Sequence, residues 1–357
     1  TLLVVHHMAQ VNHVHPPAAH VEPISAAINA VAARLNKTYQ KEHEIMSRVI
    51  RIAAAQSGPV PRSASREETL DRLICMMRQA AKQDADLVVF TECALTPFFS
   101  HWWMDDESEL DGYYETAIPG GSTQVLFDEA KRLKIGFHLG FAELVEDESG
   151  KHRYNSSVLV DADGEVIGHF RKIHLPGHSD HRPQNPFQNL EKRYFDVGNL
   201  GFPTWNAFGG VVGMCVCNDR RWSETYRVLA LGGAELILLG YNTPDNIPEH
   251  PELDRLVGFQ HQLCMQAGAY QNGCWIVAVG KAGVEEGVSQ IGLSSIIAPS
   301  GEIVAQSKTL EDELVVYDCD LDETHVCKEA MFNFAANRKP EYYLPITEQV
   351  EARNPRG

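Results

Sequence analysis

Basic charge is scarce in this sequence. Its 31 lysines and arginines stand against 48 aspartates and glutamates, a formal net charge of -17 over 357 residues. A surface with that balance repels phosphate backbones and anionic lipid, so neither nucleic acid nor membrane is expected as a partner. Long apolar runs are lacking too: none approaches the roughly 18 to 20 residues that a spanning helix needs. The opening Thr1 to Val5, followed by His6 and His7, has neither a basic n-region nor a full h-region, and no export signal is read there. The eight cysteines include no Cys-x-x-Cys pair, and only Cys215 and Cys217 come close together. That excludes a disulfide framework and fits a reducing cytoplasm. Fixed-period repeats and low-complexity stretches are absent, which leaves no place for a collagen-like or disordered chain.

What remains is the composition of a soluble globular protein, 44% hydrophobic and 22% charged. Residues 1–45 stand apart: they hold 6 of the 16 histidines and three basic against three acidic residues, leaving the whole net charge on the rest. Residues 25–39 have helical spacing, with Ile28, Val31, Ala32 and Leu35 on one face, after an irregular stretch with Pro16, Pro17 and Pro23. The segment reads either as a leader or as a natural extension that packs on an oligomer, and its histidines have no metal-demanding spacing. From Met46 onward short β-branched runs alternate with helical patterns. Strands are expected at 49–55, 86–91, 135–143, 156–161, 165–171, 211–217, 235–240, 274–280, 294–298 and 314–317. Helices are expected at 122–133, 223–231 and 253–269, and after a capping box, Ser65-x-x-Glu68, where Leu70, Leu73, Ile74, Met77 and Ala81 recur at helical spacing. Turn residues 161–164 and 299–301 predict two hairpins. This order predicts one layered α/β catalytic domain with mixed sheets over 46–347, followed by a tail at 348–357.

Three polar residues stand at the ends of apolar strands. Cys217 closes Val211 to Val216 and is followed by Asn218, Asp219, Arg220, Arg221 and Trp222; two arginines and nearby backbone N–H groups would favour a thiolate there. Glu92 ends Asp86 to Thr91, at the carboxyl edge where ligands tend to bind, as a general base would. Lys172 leaves its strand just before Pro176 and Gly177, where a fixed ammonium could stabilise an oxyanion. Each residue alone also fits a bland role: a buried structural cysteine, a loop glutamate, a solvated strand-end lysine. Glu143, at the end of another strand, could orient Lys172 or lie on the rim, and Cys215, two residues before Cys217 on the same strand face, reads as core filler.

Taken together, Phe90-Thr-Glu92, Phe170-Arg-Lys172-Ile-His-Leu-Pro-Gly and Gly213-Met-Cys-Val-Cys217-Asn-Asp-Arg-Arg-Trp222 resemble the carbon–nitrogen hydrolases of the nitrilase superfamily, over about residues 46 to 347. Further stretches, Phe187 to Phe195, Gly240 to Pro244 and Met265 to Gly273, are similar to the N-carbamoyl-D-amino acid amidohydrolases within it. The resemblance implies an α-β-β-α sandwich, a homodimer or homotetramer, and no metal or organic cofactor. It implies Glu92 as base, Lys172 as oxyanion partner, Cys217 as nucleophile and Glu191 as a second carboxylate that positions Lys172 or substrate. Arg220 and Arg221 would hold the substrate carboxylate, as arginine forks do, with Asn218, His174, Asn242 and Thr243 shaping the pocket. Asn189 and Gln260 depart from the pattern, standing where histidines are expected, but both can still hydrogen-bond. The activity implied is hydrolysis of an N-carbamoyl-D-amino acid to D-amino acid, ammonia and carbon dioxide through a thiol acyl intermediate. A related amidase, β-ureidopropionase or nitrilase with the same triad is the alternative, and a catalytically silent small-carboxylate binder is the second.

Overall fold

Alternation along the first strand already sets the architecture. In β1 (Val49–Gln56), Ile52 and Ala54 join one apolar cluster and Ala53 and Ala55 another, so the strand is covered on both faces, as expected of a central sheet strand. The computed structural model describes residues 47–352, and the expected helix over 25–39 lies outside them. From Arg48 on, the described residues form one compact unit.

Two six-stranded sheets make up its centre. The first takes β1, β2 (Leu87–Val89), β3 (Gly136–Asp147), β4 (Gly150–Val160) and β5 (Val166–Arg171), with β14 (Glu313–Asp320) returning to pair with β1, in the order β14-β1-β2-β3-β4-β5. The second takes β6 (Thr204–Ala207), β7 (Gly210–Val216), β8 (Leu236–Tyr241), β9 (Trp275–Gly280), β12 (Ser295–Ile297) and β13 (Ile303–Gln306), in the order β13-β12-β9-β8-β7-β6. Each has parallel strands at its middle (β1-β2-β3, β9-β8-β7) and antiparallel strands outside them. Ile52, Leu87, Val89 and Leu159 of the first sheet share one core with Met214, Val216, Ile237 and Val277 of the second. Burying each such side chain contributes about 1.5–3 kcal/mol.

Helices close both outer faces. Leu70, Leu73, Ile74 and Met77 of α1 (Arg66–Ala81) and Leu126, Phe127 and Ala130 of α3 (Gln124–Leu133) pack on Val88, Phe137 and Leu139, with the short α2 (Glu107–Asp111) between them in sequence. Past α4 (Glu191–Tyr194), Tyr226 and Leu229 of α5 (Ser223–Leu231) and Met265 and Ala269 of α6 (Val257–Asn272) join the core of the second sheet. The result is the α-β-β-α sandwich with mixed sheets. The capping box forms, Ser65 Oγ accepting from Glu68 N and Glu68 answering at Ser65 N. Both expected hairpins, β4-β5 and β12-β13, are present.

Three departures have local causes. β4 begins at Gly150 because its polar end, Lys151 to Arg153, extends the ladder with β3 without burying apolar side chains. The hairpin of β10 (Ala282–Glu285) and β11 (Val288–Ile291) is short and buries Glu285 and Gln290 beside Ala282 and Val288, which breaks the apolar alternation. The helix expected at 253–269 splits into a tight 3-10 turn, Pro251–Leu256, and α6, which ends at Gly273 in the left-handed conformation of a helix C-cap. Among the described residues no helix is long and apolar enough to cross a membrane.

Candidate active site

Each of the three strand ends is held by its backbone before its side chain does anything. Glu92 follows β2 and is threaded between the sheets by two glycines. A Cβ on Gly240 would lie 2.5 Å from Glu92 N, and one on Gly140 2.5 Å from Thr91 O and 2.7 Å from Glu92 Cα. Lys172 follows β5, its N–H donating to Asn155 O at 2.8 Å and its carbonyl accepting from Gly198 N at 2.8 Å. Cys217 follows β7 and opens a 3-10 turn, Cys217–Arg221, with φ of +46°. A residue with a Cβ stays in that left-handed region only when its surroundings hold it there. Here Asp219 Oδ2 accepts from Val216 N at 3.1 Å and Arg220 Nη1 donates to Cys217 O at 2.7 Å.

The side chains then converge in a fully buried cluster. Lys172 Nζ donates to Glu92 Oε1 at 2.8 Å and to Glu191 Oε2 at 2.5 Å. Asn155 Nδ2 donates to the same Glu92 oxygen at 2.7 Å, and Asn242 N to the other at 2.7 Å. Cys217 Sγ donates to Asn242 O at 3.4 Å. Donor atoms of Glu92, Glu191 and Cys217 all lie within 4.8 Å of one another, a spacing that metal ligands share, but the Lys172 ammonium already sits between the two carboxylates as their cation.

Charge in this cluster is uneven. Burial opposes the Lys172 ammonium, yet the charges of Cys217, Glu191 and Glu92 hold its pKa well above the ordinary lysine range. Burial pushes the Glu191 carboxyl up to about 7 against the pull of Lys172, with Glu92 adding to the rise. Burial, then the Glu92 charge, push the Cys217 thiol up to about 11, outweighing Lys172 and Arg220. Arg220 pulls toward the thiolate, as expected, but burial outweighs it and the thiol needs a base.

The structure thus brings Glu92, Lys172, Cys217 and Glu191 together, and adds Asn242 through its backbone. Arg220 is buried, with Nε donating to His261 Nδ1 at 3.0 Å, Nη2 to Thr243 Oγ1 at 2.9 Å, and Nη1 lying 3.7 Å from Cys217 Sγ. Its donors are spent inside the protein, on the back of the nucleophile's turn. Arg221 is exposed and has no hydrogen-bonding or ionic partner among the described residues; partial burial and the Arg220 charge hold it below the ordinary arginine value. Asn218 Nδ2 donates to His174 O at 3.0 Å, and the His174 ring lies on Asp219 and Trp222. Glu143 is not a partner of Lys172: it takes Arg171 Nε and Nη2 at 2.8 and 2.7 Å and Ser156 Oγ at 2.7 Å. Against the cost of burial, His169 and Arg171 hold its carboxyl at about 2. Cys215 is core, its thiol pushed up by burial. Asn155 and Gly140 went unread in the sequence, and Asn155 gave no signal there because it stands among Arg153, Ser156 and Ser157.

A model of the carbon-nitrogen hydrolase family matches residues 51–329 of this chain. N-carbamoylputrescine amidase of Oryza sativa subsp. japonica is 29% identical over 306 residues, covering 82% of this chain and 93% of the relative. A carbon-nitrogen hydrolase from Helicobacter pylori G27 is 22% identical, with a TM-score of 0.71 over 85% of this chain and 99% of that one. An amidase from Nesterenkonia sp. has a TM-score of 0.62 at 20% identity, over 83% and 96%.

Proposed function

The chain belongs to the carbon–nitrogen hydrolase family, and from that premise we propose that it removes the carbamoyl group of N-carbamoyl-D-amino acids. The family makes it an amidohydrolase of carbon–nitrogen bonds other than peptide bonds. The finer substrate rests on one observation: Arg221, four residues after Cys217, is a guanidinium without a partner among the described residues. A carboxylate satisfies that fork bidentately. The free ammonium of a carbamoylated diamine meets like charge instead, which sets this reading apart from the diamine compound that the rice relative is named for. The D configuration comes from the likeness of the Cys217 to Trp222 and neighbouring segments to the D-selective amidohydrolases.

The thiol, protonated at neutral pH, loses its proton to Glu92 as sulfur attacks the ureido carbon. The carbonyl oxygen becomes an oxyanion facing the Lys172 ammonium and a backbone N–H after Cys217. Breaking the C–NH2 bond releases ammonia with the Glu92 proton and leaves the carbonyl on sulfur. Glu92 then takes a proton from water as its oxygen attacks the same carbon; the C–S bond breaks and the proton returns to sulfur. The released N-carboxy amino acid loses carbon dioxide. Glu191 keeps Lys172 charged and in place throughout.

Exposed Val228 and Leu231 on α5 and Phe259 and Leu263 on α6 support assembly of identical chains through this helical face. Eight free cysteines support a reducing, cytoplasmic setting.

The test is ammonia release from N-carbamoyl-D-phenylalanine and N-carbamoyl-D-alanine, against their L-enantiomers, N-carbamoyl-β-alanine, N-carbamoylputrescine and a simple amide. D-selective release is expected, abolished in Cys217→Ala. Arg221→Ala should raise KM for the carboxylates about 10- to 100-fold with kcat little changed. Preference for N-carbamoylputrescine or the simple amide would overturn the carboxylate reading, and no turnover of any compound would favour a silent binding protein.

A further inference from the structure

Asp219 joins the turn that carries the nucleophile to the strand end that carries the ammonium. Fully buried, it accepts from Val216 N through Oδ2 at 3.1 Å, and through Oδ1 from His174 N at 2.9 Å and His174 Nδ1 at 2.7 Å. Val216 immediately precedes Cys217, and His174 lies two residues past Lys172. Two contacts run alongside: Asn218 Nδ2 donates to His174 O at 3.0 Å, and the His174 and Trp222 rings stack with centroids 4.9 Å apart at 13°. Cys217 leaves β7 in the second sheet, whereas Lys172 leaves β5 in the first. Neither sheet's own ladder fixes the distance between them.

We propose that Asp219 is a positioning residue for the hydrolysis, one carboxylate that keeps Cys217 in its left-handed turn and sets the place of its sulfur against Lys172. The proposal rests on the triad reading above and adds a group distinct from the four clustered around Lys172. A buried carboxylate is costly unless its oxygens are fully hydrogen-bonded, and three N–H donors from the two motifs meet that demand. The same demand makes the joint rigid: if either segment shifts, a buried oxygen loses its donor. Asparagine cannot replace it, because an amide has one acceptor oxygen and its NH2 would face either Val216 N–H or His174 N–H. In D219N one end of the joint must let go.

Two variants of the full chain cut the joint at different ends. D219N keeps the shape and releases one segment; H174F keeps the backbone N–H and the ring stack on Trp222 but removes the Nδ1–H. The readouts are melting temperature, the fraction of Cys217 that iodoacetamide labels, kcat per labelled site, KM, and the second-order rate of labelling. Labelling needs no substrate, so it reports positioning even if the substrate assignment fails. D219N should lower kcat per site about a hundredfold and slow labelling about tenfold, as a displacement of about 1 Å does, with KM within about threefold; H174F should lower kcat about tenfold. Wild-type kcat per site and labelling rate in D219N, with any loss confined to melting temperature or KM, would overturn the proposal. If D219N does not fold, the same readouts on H174F decide it in the same way.

Discussion

Among the described residues two lysines are fully buried against glutamates, and only one of them belongs to the candidate active site. Lys281 Nζ donates to Glu285 Oε2 at 2.9 Å and to Thr96 O at 2.6 Å, while Glu285 accepts from Val60 N at 2.8 Å and Phe98 N at 2.6 Å. One ammonium meets one carboxylate, and the remaining contacts run to backbone, so this pair fastens the β10-β11 hairpin to the loop after Glu92. Lys172 instead meets two carboxylates with a thiol beside them. Burial raises both groups, and the surplus negative charge adds to it: Glu191 rises to about 7 and Cys217 to about 11. A buried Lys–Glu contact therefore does not mark a site; an unbalanced one, close to a nucleophile, does.

Exchanging the ammonium for an apolar chain breaks that contrast most directly. Lys172→Met should cut kcat about 10²- to 10³-fold, as loss of an oxyanion partner does. Lys281→Met should cost about 3–5 kcal/mol of stability by stranding Glu285, with kcat per folded enzyme nearly unchanged. Denaturant titration beside turnover separates the two, and a large fall in kcat in Lys281→Met would erase the distinction. A methyl group sharpens it: Gly240→Ala pushes on Glu92 N and should lower kcat about a hundredfold. Gly283→Ala, at φ of +76° near Glu285, should lower the melting temperature alone. The smallest effect is in pH. Glu191 titrates near 7 when folded against an ordinary 4.5, so its contribution to stability is full below 4.5 and is lost as pH rises through about 7. Because the ionised form holds Lys172, kcat should climb over the same interval, and both trends should flatten in Glu191→Gln.

Much of this was legible because strand ends are written in the sequence as an apolar run followed by a polar residue. That pattern located Glu92 and Cys217, the stop at Pro176 and Gly177 pointed to Lys172, and helical spacing located α5 at its observed bounds. What stayed illegible depends on contacts between distant segments. The left-handed turn at Cys217 carries no glycine to announce it and exists because Asp219 and Arg220 hold it. Arg220 and Arg221 read alike, yet burial against His261 and Thr243 separates them. Gly140, beside Glu92 in the first sheet, and Gly240, which meets it from the second, look like ordinary strand glycines until the chain is folded. Lys281 and Glu285 interrupt a short hairpin with charge, which conceals a strand whose partners are backbone groups more than 180 residues away in sequence.

The pairing of β1 with β14 joins Val49 to Asp320. As the chain leaves the ribosome, all of the second sheet is synthesised before the strand that completes the first. The nucleophile is made before the sheet bearing its base and ammonium can close. The first sheet is thus completed only when β14 reaches back to β1, after every strand of the second has been made.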